Sequence, residues 1–266
     1  MRYSDPGLNL FTVTRRTVQA ILHQDEKINQ NIGFLHIPKT GGTSLVDFLT
    51  EIEHDIALRP VLLFHSWTVD LIYEYLPDIK LCFILRDPLE RVVSGFQSRL
   101  RGGKPRYQQP WRDYEATCFA MFPSTRSFLN ALLRSDEYSL NATEYALSHL
   151  LATSWNYAHY FRSASFVELI KNRILLIGKT DEMHDFVHDF CKYAIKLRGP
   201  ENNLESIMAR YRITNQSDQA SCRLIGEYSD NEVMEMKSRL ANEYSIYNEL
   251  LAIKRSMDQS ASLGTI

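Results

Sequence analysis

Residues 36–44 read HIPKTGGTS, and they concentrate what is needed to hold an oxyanion. Gly41 and Gly42 let backbone N–H groups approach a ligand closely, Lys39 brings a cation, and Thr40, Thr43 and Ser44 bring hydroxyls. A helix starting there adds partial positive charge. The chemistry is retention of a phosphate or a similar group; a tight Gly-Gly turn before a capped helix is the plainer alternative. A second group stands in RDPLERVVSGF, residues 86–96, where Arg86 ends the apolar run LCFIL and Ser94 follows about two helical turns later. Open α/β sheets bind ligands at the carboxyl ends of their strands, so Arg86 is a candidate anion ligand. Pairing of Arg86 with Asp87 or Glu90, and of Arg91 with a surface carboxylate, is the alternative. His65 closes another apolar run, from Val61 to Phe64, and should reach the same crevice. Imidazole titrates near neutrality, so it suits a proton acceptor; a histidine satisfied by a backbone carbonyl at a strand end is the competing view.

An ordinary nucleotide-binding loop, GxxxxGK[ST], places glycines before the lysine. Here the lysine comes first. That order, with RDPLERVVSGF ending the third strand, resembles the sulfotransferases that use 3′-phosphoadenosine-5′-phosphosulfate (PAPS), in particular the family that includes the carbohydrate 2-O-sulfotransferases. The resemblance is dense from residue 32 to 96. It implies that Pro38, Lys39, Thr40, Gly41, Gly42, Thr43 and Ser44 hold the 5′-phosphosulfate and that Arg86 and Ser94 hold the 3′-phosphate. It further implies that His65 takes the proton of an acceptor hydroxyl while Lys39 stabilises developing charge. The product nucleotide would be 3′-phosphoadenosine-5′-phosphate (PAP), and no metal is required. A glycan hydroxyl is the first expectation for the acceptor, with a phenol, a lipid headgroup or a small metabolite open. Later matches are thinner: ILLIGKTDEMHDF (174–186), ITNQSDQ and NEYSIYNELL. Relatives often carry a basic residue in the closing loop, whereas residues 215–219 (NQSDQ) have none; Arg210, Arg212 and Arg223 are the substitutes.

Two rivals use the same residues. A magnesium-dependent P-loop kinase would set Lys39 on a terminal phosphate and use Asp87 for the ion. A catalytically silent scaffold would keep the fold and present Tyr107, Trp111, Tyr114, Trp155 and Tyr157 to a partner. Trp111, Trp155 and Tyr157 also suit stacking on a sugar face, and Arg99, Arg101, Lys104 and Arg106 suit an acidic polymer, although core packing and solvated surface explain both sets equally. His36, inside the first strand, is explained by packing as well as by chemistry. His149, His159, His184 and His188 make no metal pattern beyond an i, i+4 pair on what reads as a solvated helix face.

The elements that must position these residues alternate. Apolar runs at Ile32–Ile37, Val61–Phe64, Leu81–Leu85 and Ile174–Ile177 read as strands, each followed by a helical pattern, with Thr43 or Ser44 capping the first helix. The polar Asn29, Gln30 and Asn31 bound the first strand. Strands alternating with helices predict a three-layer α/β fold, P-loop-like by the resemblance, with a central parallel sheet flanked by helices. One domain over residues 1–266 is expected, with its core at 31–96 and 172–252. A helical insertion covers about 97–160, either as a lid over the sheet edge or as an ordinary packing layer. One amphipathic helix is expected from Asp230 to Ala252, followed by a frayed end.

Composition narrows the partners. With 30 basic and 32 acidic residues the formal charge is −2, so no global field holds nucleic acid or an anionic membrane and any anion site is local. The opening residues, MRYSDPGLNLFTVTRRTVQA, lack the apolar core of a secretory signal, and no run of about 18 apolar residues occurs. The four cysteines, Cys82, Cys118, Cys191 and Cys222, show no CxxC spacing, as free thiols of a reducing compartment would. The expectation is a soluble, cytoplasmic protein, with a Golgi-lumen enzyme trimmed of its anchor as the alternative. The sequons at Asn141 and Asn215 are then incidental.

Overall fold

A computed structural model describes residues 28–105, 108–199, 203–211 and 217–263. Its sheet has the strand order β4-β3-β1-β2-β5. Strands β1 (Ile28–Leu35), β2 (Ile56–Leu63), β3 (Lys80–Leu85) and β4 (Ile174–Lys179) are parallel. The expected parallel sheet is nonetheless mixed, because the two-residue β5 (Lys196–Leu197) pairs antiparallel with β2. So short an edge strand leaves little pairing surface for another chain, and its two residues carry too little pattern to be read in advance.

The continuous apolar runs are explained by burial on both faces. Leu81, Phe83 and Leu85 of β3 enter one core with Leu35 and Leu63, while Cys82 and Ile84 enter the opposite core with Phe34. Helices cover each face. The first core is closed by α2 (Val69–Tyr75), α8 (Tyr157–Phe161), α9 (Ala164–Ile170) and α14 (Ala241–Leu263). The second is closed by α1 (Gly42–Glu51), α10 (Met183–Ala194) and α11 (Leu204–Met208). The protein is thus an α/β fold with helices on both faces of the sheet.

Two boundaries differ from expectation. Strand β1 begins at Ile28, four residues early, and takes in the polar triplet; pairing with β3 begins only at Ile32, so one side of that segment lies beyond its neighbour. The stretch after α3 (Pro88–Leu100) contains α4 (Asp113–Met121), α5 (Thr125–Leu132), α6 (Glu137–His149) and α7 (Leu151–Ser154). These form a helical packing layer, one of the two expected alternatives: Phe119, Phe128, Leu129 and Ala146 build a third core with Val92, Val93 and Phe96 of α3. The single helix expected over 230–252 is broken into α13 (Asp230–Ser238) and α14, and α14 runs on to Leu263 rather than fraying. The break lets the chain serve two cores, since Met236 and Leu240 belong to the third core and Ile246 and Leu250 to the first. Helix α12 (Ser217–Ile225) lies between α11 and α13 in the chain. Among the described residues no helix is long and apolar enough to cross a membrane. The opening segment, Arg106, Tyr107, Arg212, Asn215 and Gln216 lie outside the described residues.

Candidate functional site

From β1 the chain passes through α1 to β2 on one side, whereas β3 and β4 lie on the other. The strand order therefore reverses between β1 and β3, and ligand crevices of open α/β sheets form at such a point. The loops after β1, β2 and β3 carry Lys39, His65 and Arg86, so the three leading candidates come from adjacent strands.

The β1–α1 loop is held in an unusual shape. Lys39 has φ 67° and Gly41 φ 88°. A left-handed lysine costs on the order of 1 kcal/mol and persists only where its surroundings impose it, a pattern concentrated at functional loops. Gly41 is the N-cap of α1 and no side chain caps the helix, so neither Thr43 nor Ser44 plays the expected capping part. The left-handed turn at Gly41 starts the helix one residue earlier, at Gly42. A Cβ on Gly42 would stand 2.2 Å from Cδ2 of His36, so the first turn of α1 lies flush on that ring. First-turn N–H groups lack intrahelical partners, and Gly42 and Thr43 bring two of them to the loop. Thr40 Oγ1 donates to the Ile37 carbonyl at 2.9 Å. Thr180, just after β4, donates to the carbonyls of Thr40 (3.2 Å) and Leu85 (3.0 Å) and ties the loop to β3.

Arg86 is buried at 3% exposure, and its Nη1 donates to the Lys39 carbonyl at 3.4 Å. Its Nε donates to Glu90 at 3.3 Å, one of the two pairings the sequence allowed. The backbone is clamped by the Tyr157 hydroxyl, which accepts from Arg86 N (2.8 Å) and donates to Arg86 O (2.7 Å). Ser94 lies one turn beyond Glu90 on α3, at i+4 and so on the same helix face. It is 2% exposed, and its Oγ has no hydrogen-bond partner among the described residues. Cys222 of α12 lies near Glu90 and Arg86, and both act on its thiol. Partial burial first, and Glu90 second, push that thiol up from its ordinary value. It is exposed, whereas the other three cysteines are buried; all four are free thiols.

His65 is half-buried, with Nδ1 3.0 Å from the His36 carbonyl. A carbonyl can only accept, so Nδ1 carries the proton in the neutral ring and the acceptor lone pair belongs to Nε2. The ring lies between His36 (centroids 4.7 Å apart) and Trp155 (5.0 Å). The His65 carbonyl receives the Tyr160 hydroxyl at 3.2 Å and the His159 ring. Burial of His159 lowers its own pKa. His36 is therefore a wedge beneath the loop, and its carbonyl sets the tautomer of His65.

Other candidates take structural roles. Asp87 caps α3: Oδ1 accepts from Leu89 N (3.0 Å), Glu90 N (3.2 Å) and the Tyr244 hydroxyl (2.7 Å), and Lys237 approaches Oδ2 at 3.4 Å. Arg91 pairs with no surface carboxylate. It is buried, holds the carbonyls of Ala152 and Trp155, and lies 3.6 Å from buried Glu243. Arg99 leaves the proposed polymer-facing group, being buried in a bidentate pair with Glu115 at 2.6 Å for both bonds. Tyr157 is core and cannot stack on a sugar, while Trp111 is partly exposed and donates to the Arg99 carbonyl at 2.8 Å. His184 and His188 are exposed beside Asp185 and Asp189. Tyr160, Thr180 and Cys222 carried no signal in the sequence that would place them here, whereas Glu90 was named as a partner of Arg86 and is one.

An α/β protein results whose sheet-switch crevice joins a left-handed lysine loop, a buried arginine and a histidine of fixed tautomer, a set able to bind an oxyanion and accept a proton beside it. Comparison of the chain with protein-family models, with curated proteins and with solved structures finds no match.

Proposed function

We propose that the protein is a PAPS-dependent sulfotransferase with a P-loop-like core, acting on a hydroxyl acceptor of the glycan class. The observation that carries the reading is the junction of the Lys39 loop with buried Arg86, whose Nη1 reaches the Lys39 carbonyl at 3.4 Å, on the strands flanking the sheet's reversal. The residues suit the nucleotide at two places. The loop N–H groups and Lys39 fit the 5′-phosphosulfate, and Arg86 with the buried, unanswered Oγ of Ser94 fits the 3′-phosphate.

When bound, the nucleotide supplies the sulfuryl group. His65 Nε2 takes the proton of the acceptor hydroxyl as its oxygen forms the new bond to sulfur, and the bond from sulfur to the bridging phosphate oxygen breaks. Lys39 and the N–H groups of Gly42 and Thr43 offset the charge that collects on the leaving PAP. Positioning and electrostatics supply most of the acceleration, as in phosphoryl transfer. The magnesium-kinase alternative is disfavoured by Asp87, whose carboxylate is occupied by the start of α3, Tyr244 and Lys237.

Calorimetric titration with PAP, and separately with ATP and magnesium, tests the reading. Magnesium-independent binding of PAP that weakens at least about tenfold in Arg86→Ala is expected, from loss of a charge-assisted contact worth about 1.5–3 kcal/mol. Binding of ATP alone would instead make the protein a kinase, and binding of neither would make it a silent scaffold.

A further inference from the structure

A cavity of ≈ 170 Å³ opens between α3, α6, the connection from α7 to α8 and the junction of α13 with α14. That volume exceeds what one water needs. Arg91, Asn156, Arg239, Asn242 and Glu243 line it. Arg91 is fully buried, and its Nε has no hydrogen-bond partner among the described residues. Glu243 is already engaged: Oε2 accepts from Tyr157 N at 2.6 Å, Oε1 from Ala158 N at 3.0 Å, and Arg91 stands 3.6 Å away. Arg239 bonds the carbonyls of Leu132 (3.3 Å) and Arg134 (3.0 Å), neither of which cancels its charge. Asn156 accepts the His159 N–H at 2.8 Å through its oxygen, so its NH2 group is left to donate. The lining thus offers two cations, one committed carboxylate, amide donors and a buried N–H without a partner.

We propose that this cavity is a binding site for a small oxyanion, either a carboxylate or a tetrahedral inorganic anion, held by Arg91 Nε, Arg239 and the side chains of Asn156 and Asn242. Polar groups buried this way are otherwise satisfied by partners, and a dry pocket would be lined by apolar groups. The site does not depend on the sulfuryl-transfer reading. It adjoins it in space, because Arg91 also holds the carbonyl of Trp155 at 3.1 Å, and the Trp155 ring packs on His65.

The test is titration of the intact chain with sodium acetate and, separately, sodium sulfate at ionic strength fixed with sodium chloride, following tryptophan fluorescence and melting temperature. A saturable response is expected with at least one anion, and which one responds tells carboxylate from inorganic source. Asn242→Glu sets a like charge at the exposed rim and keeps both arginines; it and Arg239→Gln should each raise the half-saturating concentration at least tenfold. Arg86→Ala should change it less than twofold. Silence in both readouts, or a response lost in Arg86→Ala but kept in Asn242→Glu, overturns the site.

Discussion

Two buried arginines, one on helix α3 and one in the loop that leads into it, are answered in opposite ways. Arg99, in the helical layer, meets Glu115 through two bonds of 2.6 Å, and both side chains are almost wholly inside. Arg86, at the sheet crevice, meets Glu90 at 3.3 Å, and that carboxylate is 34% exposed. A short, bidentate, enclosed pair has nowhere to go, so it belongs to the fold. A longer contact to a carboxylate with a path to solvent can be exchanged for another anion. The contrast extends to the regions: the helical layer should respond to substitution in stability, and the crevice in ligand binding and turnover.

The largest effect should come from the crevice. His65→Ala should lower sulfuryl transfer by about 10²–10⁴-fold, the usual contribution of a positioned base, with PAP affinity and melting temperature nearly unchanged. Assay with a panel of hydroxyl acceptors, alongside calorimetry, separates the effects; equal loss of turnover and PAP affinity would remove His65 from the base role. Next, Glu115→Gln should cost about 3–5 kcal/mol in urea unfolding, because it leaves Arg99 buried without its counter-charge. Burial alone would raise the Glu115 carboxyl, but the bonds from Arg99 and the Arg112 backbone hold it below its ordinary value. Its stabilisation is therefore present above the ordinary carboxylate range and lost as pH falls through the lowered value. A flat stability profile through that range would undo the contrast.

Gly42→Ala should strike both properties at once. The added methyl meets the ring of His36, whose carbonyl also orients His65. Repacking of that kind costs about 1–3 kcal/mol, and PAP affinity should fall with stability. Circular dichroism melts and calorimetry on the same sample check it; loss of stability without loss of affinity would detach the loop from the anion.

The parallel strands and their loops were legible because burial on both faces writes itself as unbroken apolar runs, and because PKTGG sits between one such run and an amphipathic helix. The antiparallel edge was not legible in two residues, Lys196 and Leu197. Nor was the break before Ala241, since no proline or glycine marks it; it arises because Leu240 and Ile246 face different cores. Arg86 and His65 could be named from their places at strand ends, and Ser94 from the resemblance carried by RDPLERVVSGF. Their supports could not, for Tyr157 lies 71 residues from Arg86 and Tyr160 lies 95 from His65. Separation likewise hid the partner of Arg91, Glu243, whereas Arg99 lies only 16 residues from Glu115 and read as a surface charge because nothing local marks that pair as enclosed.

The smallest effect probes the contrast most finely. Glu90→Gln keeps a hydrogen-bonding group beside Arg86 but removes the charge that competes with an incoming phosphate. At a few ångströms in a largely solvated setting that competition is worth about 1 kcal/mol, so PAP should bind roughly fivefold more tightly. Stability should change by less than about 0.5 kcal/mol, because a partly exposed pair contributes little. Cys222 offers a second readout, since Glu90 helps to raise its thiol and the other cysteines are buried. Without that charge, more thiolate is present at a given pH and alkylation by iodoacetamide should quicken, then slow again when PAP is added. Tighter PAP binding together with faster labelling places Glu90 as a displaceable counter-ion. Weaker binding with a lower melting temperature would mean that Glu90 positions Arg86 as Glu115 positions Arg99, and the two arginines would then be alike.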